Sequence, residues 1–299
     1  MSSKEQFETV NDGLLVRAPA KINLSLLIAG KRPDGFHEIE TVMAKVNFYD
    51  EILIEPGRKA GIELICKGPH WAPEGKENLI YQAAKMLDSS GRLTDIKLTL
   101  TKNIPAGSGL ASGSSDAAAT LIGLNKYLDL GLSNRRLAKL SEQLGSDVPF
   151  FLDGPLAFCT GKGEKIKKLT KNFDFSALLM LPDVSVSTKE VYANYRANRP
   201  LYEKLTTRIK SHIEKNRFDL LSKMCANMLS ISCFNLYRGL AELKARIESL
   251  GIGPLCLSGS GSALFFTMGS SEKKRAGKIK QKLTENIGCI NIIVNNNKW

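Results

Sequence analysis

Residues 104–119 read IPAGSGLASGSSDAAA, which sets Gly107, Gly109 and Gly113 among Ser108, Ser112, Ser114 and Ser115. Glycines let backbone N–H groups approach a ligand with no Cβ in the way. A helix N-terminus adds unpaired N–H donors and the positive end of a dipole. Here a β-like run at residues 96–100 leads in, and an Ala-rich helical run at 116–128 leads out. Strand, Gly/Ser loop and helix in that order make an anion site suited to phosphate. A flexible Gly/Ser loop is the plainer reading, and the flanking strand and helix weigh against it. The usual P-loop spacing is absent, because no Lys follows Gly113. The dinucleotide fingerprint is absent too, since the three glycines follow G-x-G-x-x-x-G, one residue too long. Phosphates would therefore be held mainly by backbone and hydroxyls, with any catalytic cation supplied from elsewhere in the chain.

The elements that must position such a loop belong to a chain of 299 residues, 43% of them hydrophobic. That is enough for a real core, in two domains or one large one. No apolar run approaches the roughly 20 residues of a membrane span. The polar, mixed-charge opening MSSKEQFETVNDG has no apolar signal segment. Cys66, Cys159, Cys225, Cys233, Cys256 and Cys289 form no C-x-x-C pair, and most sit in apolar runs, reading as buried free thiols. Neither a zinc site nor a redox motif is indicated, and a reduced, cytoplasmic protein is expected. The formal charge of +12 suits polyanionic partners. Basic residues at 162–171, 204–215 and 273–282 are mixed with apolar or acidic ones, as on solvated faces. No dense basic run with interleaved aromatics appears, so nucleotides are expected rather than nucleic acid.

Strands are predicted at 14–19, 22–29, 52–55, 62–66 and 96–100 from their Val, Ile and Leu content. Leu79, Ala83, Met86 and Leu87 give residues 78–87 helical spacing. Ser133 reads as the N-cap of a helix with Leu137, Leu140 and Leu144 on one face and Gly145 as its stop. Residues 145–149 read as a turn. After the charged stretch 161–171 the pattern restarts with strands at 177–182, 255–258, 263–268 and 290–294 and helices at 204–215, 221–228, 240–250 and 272–284. Strands and helices interleave in both halves, so the class is α+β. A boundary falls within 165–175, dividing an N-terminal domain, 1–168, from a C-terminal domain, 169–299.

Three motifs stand in order: Pro19-Ala20-Lys21-Ile22-Asn23, then Pro105-Ala106-Gly107-Ser108-Gly109-Leu110-Ala111-Ser112-Gly113-Ser114-Ser115, then Leu257-Ser258-Gly259-Ser260-Gly261-Ser262-Ala263. The set resembles the GHMP kinase superfamily, which phosphorylates galactose, homoserine, mevalonate and related alcohols. Arg32-Pro33-Asp34-Gly35-Phe36-His37 and Gly145-Ser146-Asp147-Val148-Pro149-Phe150-Phe151 are similar to the branch acting on a cytidine diphosphate-linked methylerythritol in the non-mevalonate isoprenoid pathway. The likeness covers nearly the whole chain, strongest over 18–163 and weaker over 200–250. It implies the two-domain GHMP kinase fold, with a ribosomal-protein-like α/β domain first and a helix-covered antiparallel sheet second. ATP and substrate would meet in the cleft between them. The implied reaction is ATP-dependent phosphorylation of the tertiary 2-hydroxyl of the methylerythritol part.

The resemblance makes Lys21 and Asp147 the catalytic pair. A lysine stabilises charge on the transferring oxygens, and an aspartate accepts the proton of the attacking hydroxyl. Taken singly, each has a plainer reading, as a surface strand lysine and a turn residue. Asn23, two positions on, shares the strand face of Lys21, and the resemblance makes it a substrate contact. Phe36, where the family often has Tyr, would stack on cytosine. His37 would read the base edge through its two ring nitrogens. Tyr192 matches a second aromatic that closes the sandwich, and Thr188 would bond the diphosphate or erythritol. ATP would lie on the loop from Pro105 to Ser115, with Asn78 and Leu79 at the adenine, a helix N-terminus and a core residue being the alternative reading of those two. Ser115 is the implied hydroxyl for Mg²⁺, with helix capping as its alternative. Asp116 must point away from the phosphates. Ala111 and Ser112 stand where this branch often has glycine, which stiffens the loop. Gly259 and Gly261 would let the third motif pack on the phosphate loop. The implied partners are ATP and a small-molecule alcohol, with neither nucleic acid nor membrane, in a monomer or homodimer. Rival readings are a homoserine or mevalonate kinase, for which Gly-Phe-His has no base to bind, an RNA-binding module, and an ATP-binding protein without catalysis.

Overall fold

Two long strands organise the first half of the chain in the computed structural model, which describes residues 4–88, 95–170, 173–269 and 272–299. After a short β1 (Phe7–Val10), β2 (Gly13–Lys31) and β3 (His37–Pro56) run antiparallel along almost their whole length. The separate strands expected at 14–19 and 22–29 are thus one. The backbone stays extended through Pro19, and the ladder shifts register between Pro19 and Ala20, between Asn23 and Ser25, and between Ile28 and Gly30. Proline has no N–H for the ladder, and bulges bend a strand without ending it. The shifts let β2 serve two cores. Leu14, Val16 and Ala18 lie in one buried cluster with Ile52, Ile54 and Leu98. Ala20, Ile22 and Leu24 lie in the other, with Leu178, Leu257 and Phe265.

β4 (Ile62–Lys67) is parallel to β5 (Ile96–Thr101), which pairs with the far half of β3. β6 (Leu156–Thr160) pairs with the near half, and β7 (Lys165–Lys168) extends β6. Helices α1 (Leu79–Leu87), α2 (Ser112–Tyr127), α3 (Asn134–Leu144) and α4 (Val148–Phe151) pack together, with α2 against β2 and β3. The turn expected at 145–149 therefore closes into a helical turn opening at Val148.

The second sheet is wholly antiparallel. It is built from β8 (Phe175–Leu181), β10 (Cys256–Leu257), β11 (Leu264–Gly269) and β12 (Ile290–Asn295) in the order β10-β11-β8-β12. The two-residue β9 (Ala226–Asn227) instead adds to β2, in parallel. The remaining helices are α5 (Thr188–Ala193), α6 (Arg199–Glu214), α7 (Phe218–Lys223), α8 (Ser230–Leu236), α9 (Arg238–Ser249) and α10 (Lys273–Asn286). The helix expected at 221–228 stops at Lys223, because Cys225 turns to a positive φ of 46° and the chain joins β2. Residues 171 and 172, inside the expected boundary, lie outside the described residues.

Cys225 and Cys256 depart from the expectation of a reduced protein in which most cysteines are free thiols. They are joined as a disulfide, while Cys66, Cys159, Cys233 and Cys289 are free. The fold brings their Cα atoms to 4.6 Å across 31 positions, which no local spacing reveals. Among the described residues no helix is long and apolar enough to cross a membrane.

Candidate active site

A cavity of about 1010 Å³ is lined from both halves of the chain. Lys21 enters it from β2, and its Nζ donates to Asn23 Oδ1 and to the Gly109 carbonyl, both at 2.7 Å. Asp147, just before α4 and with a side chain 33% exposed, presents Oδ2 at 3.9 Å from Nζ. Burial lowers the Lys21 amine from its ordinary value, against the opposing pull of Asp147 and Cys159. Burial likewise pushes the neighbouring Cys159 thiol up. Asn23 Nδ2 donates to Thr41 Oγ1 at 2.9 Å, so the amide is oriented from behind. Its backbone N–H donates to Ser258 Oγ at 3.3 Å. All three sequence motifs therefore meet at Lys21, Asn23, Gly109 and Ser258. Gly163 escaped the sequence reading. It has a φ of 117°, and a Cβ there would stand 3.4 Å from Asp147 Oδ1, so it leaves room for that carboxylate.

The helix behind the phosphate loop starts at Ser112, four residues earlier than expected. Ser112, Gly113 and Ser114 thus supply first-turn N–H groups, which have no intrahelical acceptor. Ala111 precedes them in the left-handed region at φ 55°, with no side-chain cap. Ala106, Gly107, Gly109, Ala111, Ser112, Gly113 and Ser114 line the cavity. The other loop residues serve the scaffold instead. Ser108 Oγ donates to the Pro105 carbonyl at 2.7 Å. Leu110 lies in the core, and its carbonyl accepts from the Lys21 N–H at 3.1 Å. Ser115 is fully buried in the first turn of α2, and its Oγ has no hydrogen-bond partner. It is neither cap nor cavity wall.

Lys102 is the cation that sequence reasoning missed. It lines the cavity directly after β5, and its Nζ donates to Asp50 Oδ2 at 2.7 Å and to Asp116 Oδ2. Burial alone would lower this amine, but Asp116 and Asp50 outweigh it and hold it above its ordinary value. Burial raises the Asp116 carboxyl well above the usual range, with Lys102 opposing. Asp116 turns Oδ2 to Lys102, yet the residue still borders the cavity and its Oδ1 has no hydrogen-bond partner. A lysine at the strand end that opens a Gly/Ser loop was the available signal.

Asn78 lines the cavity, but its polar atoms hold the start of α1. Oδ1 accepts from the Ile80 N–H at 2.9 Å, and Nδ2 donates to the Pro73 carbonyl at 2.8 Å. It contributes shape, beside Leu79 and the largely exposed indole of Trp71.

At the other end, the β2–β3 loop is closed by Arg32 and Phe36, whose N–H and carbonyl bond at 2.8 Å. Asp34 Oδ1 accepts from the Phe36 N–H at 3.2 Å. That turn offers Phe36 to solvent, 54% exposed, with Lys162 Nζ 4.7 Å from its ring centroid. Tyr192 also lines the cavity, but its ring contact is with His37, at 5.1 Å between centroids, rather than across from Phe36. Tyr195, unpredicted, meets His37 edge-on at 5.9 Å. Burial and the charge of Lys31 lower the His37 pKa, which favours a neutral ring. Thr188 Oγ1 and Ser260 Oγ bond at 2.8 Å, joining α5 to the third motif.

Residues 78–155 match the family described as GHMP kinases N terminal domain, and residues 209–288 match GHMP kinases C terminal. The chain is 40% identical over 253 residues to a 4-diphosphocytidyl-2-C-methyl-D-erythritol kinase of Geobacillus sp., spanning 84% of this chain and 87% of that one. A protein of the same name from Bacillus cereus is 38% identical over 256 residues, with the same two coverages. A solved 4-(cytidine 5'-diphospho)-2C-methyl-D-erythritol kinase superposes with a TM-score of 0.74 at 29% identity, over 95% of this chain and 100% of the other. A homoserine kinase from Cytophaga hutchinsonii shares the fold, with a TM-score of 0.73 at 19% identity over 99% and 98% of the two chains. Identity of 40% over 84% of the chain goes well beyond that shared fold: the chain belongs to the GHMP kinase family, in its 4-diphosphocytidyl-2-C-methyl-D-erythritol kinase branch.

Proposed function

We propose that the chain uses ATP to phosphorylate the 2-hydroxyl of 4-diphosphocytidyl-2-C-methyl-D-erythritol, in the non-mevalonate isoprenoid precursor pathway. One observation carries this reading. A single cavity holds the Lys21–Asp147 pair, the N-terminus of α2 and, apart from both, the Phe36, His37 and Tyr192 rings.

The first-turn N–H groups of Ser112, Gly113 and Ser114 bind the nucleotide phosphates, and Lys102 adds its charge. The chain also fits a phosphate-borne Mg²⁺, a hard ion that keeps several waters and takes oxygen donors. Ser114, which lines the cavity, is the better donor. The buried Ser115 is shut off from it, although its Oγ is orphaned. Bound Mg²⁺ neutralises phosphate charge during transfer.

Phosphoryl transfer relies on positioning and charge stabilisation more than on covalent chemistry. Lys21 Nζ stabilises charge on the transferring oxygens and holds the Asp147 carboxylate. The substrate oxygen bonds to the γ-phosphorus as the bond to the bridging oxygen breaks and ADP leaves. The hydroxyl proton passes to Asp147. Asn23, fixed by Thr41, and Thr188, fixed by Ser260, orient the alcohol and its diphosphate. A neutral His37 offers cytosine one donor and one acceptor, and Phe36 offers a stacking face. Residues 1–168 and 169–299 act as the two domains that bring these groups together, in a cytoplasmic enzyme.

Steady-state turnover of ATP against the cytidylated alcohol, homoserine and mevalonate tests the reading. Efficient use of the cytidylated alcohol alone is expected. Comparable use of either simple alcohol would reassign the enzyme within its superfamily.

A further inference from the structure

Lys45 takes no part in the mechanism above, yet it is among the largest fully buried side chains, only 1% exposed. In the β2–β3 ladder it stands directly opposite Lys21. Residues opposite one another in an antiparallel pair project from the same face. Both lysines reach the segment that carries Asp147, from its two ends. Lys21 meets Asp147 just ahead of α4. Lys45 Nζ donates to the Phe151 carbonyl at 3.1 Å and to the Asp153 carbonyl, at the helix's C-terminal end. The Lys45 backbone N–H donates to the Pro155 carbonyl at 2.8 Å, so the same residue also ties down the chain beyond.

The carbonyls that end a helix have no intrahelical partner, and a cation there is favoured by the dipole. A four-residue helix has almost no stability of its own and takes its shape from what grips it. Burying an ammonium is costly unless it is hydrogen-bonded, and an apolar side chain of similar volume would fill the space more cheaply. The carboxylate of Asp153 turns to Lys168 and leaves the amine to the two carbonyls. Burial, with help from Lys168, lowers the Lys45 amine to about 7. Protonated or neutral, it keeps the two N–H donors that this geometry uses.

We propose that Lys45 is a positioning residue for phosphoryl transfer, pinning the Phe151 and Asp153 carbonyls and thereby fixing where Asp147 stands against Lys21. The role rests on the reading of Asp147 as proton acceptor.

Lys45→Met in the full chain approximates the length of the side chain while removing the donors, and it replaces the Lys45 Nζ that lies 5.8 Å from the Phe150 ring centroid with a thioether suited to the same apolar face. The expected result is a folded protein whose KM values for ATP and alcohol stay within about twofold. Its kcat should fall by about 10- to 100-fold, the scale on which misplacing a reacting group slows an enzyme. Added to Asp147→Asn, the substitution should cause no further loss, since Lys45 acts through that carboxylate. An unchanged kcat, a loss confined to KM, or an equal loss in the Asp147→Asn background would each overturn the proposal. If circular dichroism shows Lys45→Met unfolded, Lys45→Gln, with donors for one carbonyl, should fold with an intermediate kcat. Full activity in Lys45→Gln counts against the role. Full turnover by Asp147→Asn alone would instead defeat the reading of Asp147, and with it this role, without Lys45 being touched.

Discussion

Ser258 Oγ donates to the Gly109 carbonyl at 3.0 Å, across 149 positions of chain. Lys21 Nζ donates to the same oxygen at 2.7 Å, so one backbone carbonyl ties the phosphate loop to the third motif and to the site lysine. Gly109 is required for that packing. Its φ is 76°, and a Cβ would fall 2.1 Å from the Ser258 carbonyl oxygen.

Gly109→Val should therefore act on the scaffold before it acts on ATP. Strain at such a position is about 1–3 kcal/mol before the clash is counted, so a lowered Tm in calorimetry is expected. Gly113→Val provides the contrast. A Cβ there meets only Leu79 Cδ1, at 3.6 Å. Its Tm should hold, while ATP affinity falls by about tenfold or more as the new side chain keeps the phosphates away from the first-turn N–H donors. Equal effects of the two substitutions on both readouts would contradict this division.

Asp147→Asn should keep the shape of the site and lose the proton acceptor. ATP affinity by titration calorimetry is expected to match wild type, with kcat down by about 10²–10⁴-fold, the usual scale of general-base assistance. Near-wild-type turnover would make Asp147 a structural residue of the segment before α4.

Phe36→Ala should lower kcat/KM for the cytidylated alcohol by about 10- to 100-fold, from a stacking contribution of about 1–3 kcal/mol, with KM for ATP unmoved. His37 adds a pH signature. Its pKa lies below the ordinary value of 6.5, so the ring is already neutral in neutral solution. Protonation replaces its acceptor with a second donor. The alcohol's KM should stay level above the ordinary histidine value and rise only as pH falls below it. A KM that improves in acid would exclude His37 as an acceptor.

Lys102→Met should leave Asp50 and Asp116 buried without their cation. Breaking a buried ionic cluster from one side costs about 3–5 kcal/mol, which denaturant titration would read directly. The sign of its pH dependence follows from Asp116. A carboxyl raised in the folded state resists ionisation there, so its penalty grows as pH rises and fades as it protonates. The loss should therefore be larger at about pH 8 than at about pH 5. A pH-independent loss would mean that packing, not charge, is what Lys102 supplies.

The sequence by itself determined what is held together by neighbours. Asn78 caps α1 through the Ile80 N–H, and Ser133 caps α3 through the Arg136 N–H, both bonds of two or three positions that residue order reveals. The run of Gly and Ser before α2, and the types of Lys21, Asn23 and Asp147, likewise stood in plain view with their chemistry. Tertiary structure alone decided matters whose partners are remote. β2 runs unbroken past Pro19 because two different cores bury its two ends. Asp116 turns to Lys102 because burial leaves a carboxylate no other way to keep a cation near. Tyr192 meets His37 because α5, packed on α8, brings its ring to the start of β3. Lys45 reads as one more strand residue until the fold brings it the carbonyls of Phe151 and Asp153, 106 and 108 positions away. Hydrogen bonds and packing between distant segments depend on where the two cores place them, and local pattern carries no record of that.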